Sequence, residues 1–126
     1  MIERALVVSL GSIGRRHLRI LTDAIPTADI KVLRREGAAQ QVGNIEQFNT
    51  LSQAIEFAPQ CAIIASPAPF HIETALELAK INCHLLIEKP LSNSIFKVDK
   101  LIDLCARKDL ILQVGYNLRF LNTLQF

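Results

Sequence analysis

The chain has 126 residues, of which 50% are hydrophobic and 21% charged, and its formal net charge is +2. This length suits one domain with a buried core, and this composition excludes an intrinsically disordered chain. So small a net charge gives no reason to expect nucleic acid or an anionic membrane as a partner. No segment approaches the length of an apolar membrane span, so the sequence predicts a globular domain that does not associate with a membrane.

The cysteines and the first residues indicate the compartment. Cys61, Cys83 and Cys105 are odd in number, form no C-x-x-C pair and lie in apolar runs. That pattern predicts small buried side chains in a reducing compartment rather than a metal site or disulfides. Met1 is followed almost at once by the charged Glu3-Arg4 pair, so the apolar stretch of a signal peptide is missing. We therefore expect a cytoplasmic protein without a metal.

Short apolar runs alternate with segments of helical period along the chain. The predicted strands are residues 5–9, 29–33, 46–48, 61–65, 84–88 and 110–114. Helical periods follow the first strand and recur near residues 50–56, 72–79 and 95–105. Thr50 is the expected cap of the second helix, and Ser92 or Asn93 that of the last. The apolar face of that last helix is predicted to contain Ile95, Val98, Ile102 and Cys105. This alternation predicts βαβ units, and hence an α/β domain with a doubly wound parallel sheet.

The stretch from Val7 to His17, VVSLGSIGRRH, resembles a dinucleotide-binding turn. In the G-x-G-x-x-G fingerprint the first glycine permits a tight turn. The second lets the backbone approach the pyrophosphate, and the third allows close packing of helix on strand. Gly11 and Gly14 take the second and third places, whereas Ser9 stands in the first. The helix opening there would direct its free N–H groups at the phosphates. The residues predicted to bind the pyrophosphate are Ser9, Gly11, Ser12, Ile13, Gly14 and Arg15.

The end of the second strand bears on the choice of coenzyme. An NAD site carries an acidic residue about 20 residues beyond the last glycine, where it binds the ribose hydroxyls. This place holds Arg34 and Arg35, whose guanidinium groups suit a 2′-phosphate. Arg15 and Arg16 would add to the same positive field. The sequence thus favours NADP over NAD, and solvated surface arginines are the alternative interpretation.

Three further stretches complete a family resemblance. SPAPFH (66–71), EKPLS (88–92) and VGYNLRF (114–120) follow predicted strands, in the same order along the chain as GSIGRRH. Together they resemble the glucose–fructose oxidoreductase and inositol dehydrogenase (Gfo/Idh/MocA) family. The resemblance implies a Rossmann domain over residues 1–117, with residues 118–126 starting the connection to a substrate domain. The chain departs from the family at Ser9 and in lacking that second domain, whose aspartate and histidine are often implicated in proton transfer.

The resemblance also implies roles for single residues. Lys89 is the catalytic candidate, because an ammonium beside a nicotinamide can bind a substrate oxygen and stabilise a developing alkoxide. An exposed lysine before a turn proline is the alternative, and Pro90 permits a cis peptide bond there. His17 is expected to be a packed core histidine. The further residues that would line the cofactor site are Ser66, Pro67, His71, Glu88 and Asn117.

These residues lead to a functional expectation. The parent protein is expected to be an NADP-dependent oxidoreductase that transfers a hydride to or from a carbinol or ketone of a sugar-like substrate. The 126-residue chain alone should be inactive, and the full-length protein should form a homo-oligomer. A nucleotide-sensing or regulatory module without chemistry is the alternative function. A methyltransferase ranks last, because its ribose-binding acid would stand where Arg34 and Arg35 do.

Overall fold

The structure is a computed structural model, and it describes residues 1–34, 43–92, 95 and 97–115. The strands are β1 (Arg4–Val8), β2 (Asp29–Leu33), β3 (Gln47–Phe48), β4 (Cys61–Ile64), β5 (His84–Glu88) and β6 (Leu112–Gly115). The helices are α1 (Ser12–Ala24), α2 (Leu51–Phe57), α3 (His71–Lys80) and α4 (Val98–Arg107), with a 3₁₀ turn at Ala68–Phe70. Among these helices there is no segment with the length and apolar character of a membrane span.

The strands form one 6-stranded sheet in the order β3-β2-β1-β4-β5-β6. Every neighbouring pair is parallel, with Val8 aligned to Leu33 on one side and to Ile64 on the other. The chain runs outward from β1 through β2 to β3, then returns to place β4 on the other side of β1. This is the doubly wound order, and the predicted fold class is confirmed.

Two apolar clusters hold helices against the two faces of the sheet. Because side chains alternate along a strand, Leu6 and Val8 face one side and Val7 faces the other. Leu18 of α1 packs with Val7, Leu10 and Val32. The larger cluster, on the opposite face, unites α2, α3 and α4 with the central strands. Its largest fully buried members are Leu6, Ile64, Leu78, Ile87 and Leu101.

The helix caps confirm one prediction and correct another. Thr50 caps α2 in a capping box, in which its side chain accepts from the Gln53 N–H and the Gln53 side chain accepts from the Thr50 N–H. The predicted start of the last helix is wrong. This helix begins at Val98, after Lys97 in a left-handed conformation with φ 64°, so Ser92 does not cap it. Asn93 lies outside the described residues.

The buried face of α4 also differs from the predicted one. Leu101 and Cys105 are buried, and Val98 and Leu104 pack against the same cluster. Ile95, which precedes the helix, is 92% exposed, and Ile102 is 49% exposed. The predicted face shared Val98 and Cys105 with the real one but placed two isoleucines inward. Because α4 begins at Val98, Ile95 is not part of the helix and does not lie on its buried face. Leu101 occupies an inward-facing position instead.

The cysteines behave as small apolar side chains. All three are free thiols; Cys83 and Cys105 are buried and Cys61 is half-buried. Burial raises the pKa of the Cys83 thiol to about 12, with a smaller contribution from nearby Cys61. A thiol with so high a pKa is almost entirely protonated at neutral pH and is a poor nucleophile.

Candidate functional site

The loops at the carboxyl ends of β1 and β4 meet where the strand order reverses. In doubly wound sheets this crevice is where ligands bind, because the chain leaves the two central strands in opposite directions. Here the turn after β1 contains Ser9 and Gly11, and Ala65 and Ser66 follow β4. The Ala65 N–H donates to the Val8 carbonyl at 3.0 Å, so the two loops start side by side.

Ser9 adopts the backbone conformation that the first glycine of the fingerprint would adopt. Its φ is 76°, in the left-handed region that favours glycine. Its N–H donates to the carbonyl of Leu33 at 2.8 Å, which ties the turn to the end of β2. The serine therefore preserves the tight turn at a cost in backbone strain.

Gly14 and Gly11 have different physical tasks. A Cβ atom on Gly14 would lie much closer than 3.0 Å to the Ser9 carbonyl oxygen, and 3.7 Å from the Ala65 side chain. Only glycine allows α1 to approach the β1 turn this closely. A Cβ atom on Gly11, by contrast, would meet nothing within 4 Å. The backbone at Gly11 therefore faces open space, as expected where a phosphate would approach.

The first turn of α1 presents unused donors at this open space. Its first helical bond runs from the Arg15 N–H to the Gly11 carbonyl at 2.9 Å, which leaves the preceding N–H groups without helical acceptors. Gly11 supplies no side-chain cap, and Ser12 and Ile13 are exposed. Exposed N–H groups at the positive end of a helix dipole bind anions. The turn therefore fits the pyrophosphate of a dinucleotide.

The arginines lie near this turn to different extents. Arg34 directly follows Leu33, the residue that accepts from Ser9, and its guanidinium donates to Gln47 Oε1 at 3.3 Å. Arg15 and Arg16 are exposed on the first turns of α1. Arg35 lies outside the described residues. The structure thus brings Arg34 next to the glycine turn, half-buried against β3.

Lys89 lies at the carboxyl end of β5, on the same edge of the sheet as the glycine turn. It is exposed, and the structure shows no ion pair or hydrogen bond of its ammonium with any other described residue. The peptide bond from Lys89 to Pro90 is cis, as the proline allows. The ammonium is therefore available to an oxygen of a ligand.

Glu88 and His17 form a pair that the sequence did not reveal. His17 Nε2 of α1 contacts Glu88 Oε1, and the side chains are 19% and 7% exposed. The histidine predicted to pack in the core at position 17 is half-buried, and its ring also makes a polar contact with the neighbour of Lys89. The same carboxylate lies beneath the end of β6, where a Cβ on Gly115 would be 3.2 Å from Glu88 Oε1. The sequence signal that could have revealed this pair is that His17 and Glu88 are polar residues at positions predicted to face inward.

His71 is buried rather than open to the crevice. It is 1% exposed; its Nδ1 lies 3.0 Å from the Pro90 carbonyl oxygen, and its Nε2 contacts the Ser66 carbonyl oxygen. The Ser66 hydroxyl is buried without a hydrogen-bond partner among the described residues, and Pro67 is exposed. Asn117 lies outside the described residues, as do Tyr116 and Arg119.

Several known proteins are similar to this chain. Myo-inositol 2-dehydrogenase from Thermotoga maritima is 32% identical over 120 residues, which are 90% of this chain and 36% of that protein. The WlbA dehydrogenase from Bordetella pertussis, solved with NADH and UDP-GlcNAcA, superposes with a TM-score of 0.86 at 21% identity, over 99% of this chain and 41% of that one. Scyllo-inositol dehydrogenase from Lactobacillus casei, solved with NAD(H) and scyllo-inositol, gives a TM-score of 0.81 at 21% identity, over 98% and 38%. At these identities the solved structures establish the fold alone.

The chain spans between 34% and 39% of the length of the curated relatives that it matches. The sequence profile of an oxidoreductase family with an NAD-binding Rossmann fold, Gfo/Idh/MocA, matches residues 4–116. This match covers every strand and helix described above. The chain therefore belongs to the Gfo/Idh/MocA family of oxidoreductases and contains its NAD-binding Rossmann domain.

Proposed function

We propose that the protein is an NADP-dependent oxidoreductase that transfers a hydride to or from a carbinol or ketone carbon of a sugar-like substrate. The observation that carries this proposal is the open first turn of α1 on the same sheet edge as the ammonium of Lys89, which has no ion pair or hydrogen bond among the described residues. A phosphate-binding turn holds the coenzyme there, and the lysine supplies a polar contact for a substrate oxygen. The substrates named for similar dehydrogenases, inositols and a nucleotide sugar, support the substrate class.

In this proposal the coenzyme lies across the crevice between β1 and β4. The N–H groups at the start of α1 bind its pyrophosphate, and the loop after β4 borders the nicotinamide side. The residues assigned to the coenzyme site are Ser9, Gly11, Ser12, Ile13, Gly14, Arg15, Arg34, Arg35, Ser66, Pro67, His71, Glu88, Lys89 and Asn117. Of these, the buried His71 and Glu88 act through the loops that they hold, and Lys89 acts chiefly on the substrate oxygen. A bound nicotinamide would supply the hydride chemistry.

Lys89 acts on the substrate oxygen. Its ammonium donates a hydrogen bond to the hydroxyl or carbonyl oxygen and stabilises the negative charge that develops there. The same bond orients the reacting carbon, and such positioning lowers the barrier because it replaces a bimolecular encounter. The final proton transfer belongs to a residue of the proposed substrate domain. The 126-residue chain is therefore expected to bind coenzyme without appreciable turnover.

The Lys89→Ala variant tests the catalytic assignment in the form that carries the substrate domain. We expect kcat to fall by at least about 100-fold while the Kd for NADPH changes by less than about threefold, since the lost interaction strengthens in the transition state. Lys80→Ala removes an exposed lysine of α3 and is the matched control. Unchanged turnover in Lys89→Ala would support a nucleotide-sensing module instead.

The preference for NADP rests on Arg34 and Arg35. Arg34 directly follows the strand end that anchors the glycine turn, and a guanidinium suits a 2′-phosphate. Fluorescence titration should give a Kd for NADPH at least about tenfold below that for NADH, corresponding to about 1.4 kcal/mol. The double variant Arg34→Ala/Arg35→Ala should remove the difference, whereas Arg19→Ala, an exposed arginine of α1, should keep it. Tighter binding of NADH would refute the preference.

The remaining proposals concern the whole protein. Residues 1–117 form the coenzyme domain, and residues 118–126 start a connection to a substrate domain; the short coverage of the relatives supports this division. Sequencing the gene beyond the codon for Phe126 tests it. We also propose a homo-oligomer located in the cytoplasm, and the free thiols of Cys83 and Cys105 support a reducing compartment. Light scattering and cell fractionation check these two assignments.

A further inference from the structure

We propose that His17 and His71 are positioning residues for Lys89, holding the residues on either side of it from opposite faces of the sheet. The proposal rests on the function given above, since it supposes that Lys89 acts on a substrate oxygen. His17 contacts the side chain of Glu88, and His71 contacts the carbonyl oxygen of Pro90. Lys89 thus lies between two residues that these histidines hold.

The first anchor joins the pyrophosphate helix to the lysine strand. His17 is one turn beyond Gly14 on α1, and its Nε2 reaches Glu88 at the end of β5, 71 residues later in the chain. Glu88 is buried, and removing a carboxylate from water is unfavourable unless a polar partner compensates it. His17 is the partner that the structure provides. The contact therefore fixes where β5 ends relative to the helix that opens at the glycine turn.

The second anchor joins the loops after β4 and β5. His71 opens α3, on the opposite face from α1, and its ring lies between the carbonyl oxygens of Ser66 and Pro90. At 1% exposure the ring has no room to turn toward water. His71 therefore acts on a ligand through the two loops it joins, and not by direct contact.

These anchors matter because, within the part of the chain that the structure describes, no ion pair or hydrogen bond of its own holds the Lys89 side chain. Its side chain is exposed and its ammonium is unpaired among the residues that the structure describes. The position of the Lys89 Cα atom, from which the side chain extends, is set by the backbone of Glu88 and Pro90. A displacement of about 1 Å in a catalytic group can reduce a rate about 100-fold. Buried polar contacts on both neighbours are the means by which this fold limits that displacement.

The test uses pairs of amide substitutions, in which glutamine places its amide near the position of Nε2 and asparagine near that of Nδ1. In His17→Gln the side-chain amide can replace Nε2 and reach Glu88, whereas in His17→Asn it is too short. In His71→Asn the amide replaces Nδ1 and keeps the Pro90 contact, whereas His71→Gln keeps the Ser66 contact. Each pair removes the imidazole, so a general loss of packing affects both members. Within the His17 pair only the bond to Glu88 differs, and within the His71 pair one variant keeps the contact with Pro90 while the other keeps the contact with Ser66.

The first readout is the backbone order parameter of the Lys89 amide, measured by ¹⁵N relaxation on the 126-residue chain. We expect about 0.85 in the wild type, His17→Gln and His71→Asn, and below about 0.6 in His17→Asn and His71→Gln. Amides in the middle of β1 serve as the internal reference and should not change. Should His17→Asn fail to fold, Glu88→Ala, which removes the acceptor that His17 contacts, replaces it in the comparison, and the order parameter of the Lys89 amide should again fall below about 0.6. Equal order at Lys89 in all folded variants would overturn the proposal.

The second readout separates this proposal from the proposed function. In the form with the substrate domain, His17→Asn and His71→Gln should lower kcat by about 10- to 100-fold and change the KM for NADPH by less than about threefold. His17→Gln and His71→Asn should retain most of the wild-type kcat. If the wild-type chain binds neither NADPH nor NADH, the proposed function fails, whatever the order parameters show. If the coenzyme binds but kcat falls equally within each pair, the positioning role is refuted and the function stands.

Discussion

Replacing Gly14 by alanine tests the close approach of α1 to the β1 turn. The new methyl carbon would lie 3.0 Å from the Ser9 carbonyl carbon and still closer to its oxygen, whereas ordinary contact begins at 3.4 Å. The carbonyl cannot rotate away freely, because the Ser9 N–H is bonded to Leu33 and its φ is already 76°. The helix and the turn must therefore move apart.

The expected cost follows from two opposing terms. Forcing a methyl group into a packed backbone contact costs about 3 kcal/mol, the upper part of the usual range, because backbone atoms yield less than side chains. Alanine regains about 1 kcal/mol over glycine inside a helix. The net loss is about 2 kcal/mol, which for a domain of this size lowers the melting temperature by about 8 °C. Thermal unfolding followed by circular dichroism measures it.

Gly11→Ala is the matched control, with the opposite expected pattern. Its Cβ would meet nothing within 4 Å and its φ is −67°, so the free energy of unfolding should change by less than about 1 kcal/mol. The methyl group would occupy the space assigned to the pyrophosphate, so the Kd for NADPH should rise at least about tenfold, or about 1.4 kcal/mol. A Gly14→Ala protein that melts within about 2 °C of the wild type would refute the packing argument. Full affinity in Gly11→Ala would refute the assignment of the phosphate site.

Three further predictions concern single residues. Ser9→Gly should stabilise the fold by about 0.5–1 kcal/mol in urea unfolding, because relief of the left-handed strain exceeds the added chain entropy, while Ser12→Gly in the helix should destabilise it. Thr50→Ala should cost about 1 kcal/mol in the same assay through the loss of its bond to the Gln53 N–H, and exposed Ser52→Ala should not. The pKa of Cys83 is raised from 9.0 to about 12 in the folded protein. Because the unfolded chain loses this proton at lower pH than the folded protein does, the free energy of unfolding falls as the pH rises from about 9 to about 12. Between pH 8 and pH 10 the wild type should lose about 1.4 kcal/mol more unfolding free energy than Cys83→Ala, and equal losses in guanidinium titrations would contradict the raised pKa.

The sequence predicted the strands better than the last helix. Residues 29–33 and 84–88 are strands with the predicted bounds. The period-two alternation of the first and the apolar run of the second are both local signals of a strand. Near Ile95 the same kind of signal failed. Ile95 and Val98 have helical spacing, but the chain turns through a left-handed Lys97 before α4 begins. Spacing alone does not report where a backbone leaves the helical conformation.

The sequence by itself determined the alternation of elements, the parallel class of the sheet and the glycine turn, since periodicity and small residues act over a few neighbouring positions. Only the tertiary structure decided that His17 meets Glu88 and that His71 joins the Ser66 and Pro90 carbonyls. These partners come from different elements and loops, and side-chain chemistry does not choose among the many polar residues that are able to pair. The packing of helices on the two faces of the sheet makes that choice, because it brings distant positions of the chain to one edge.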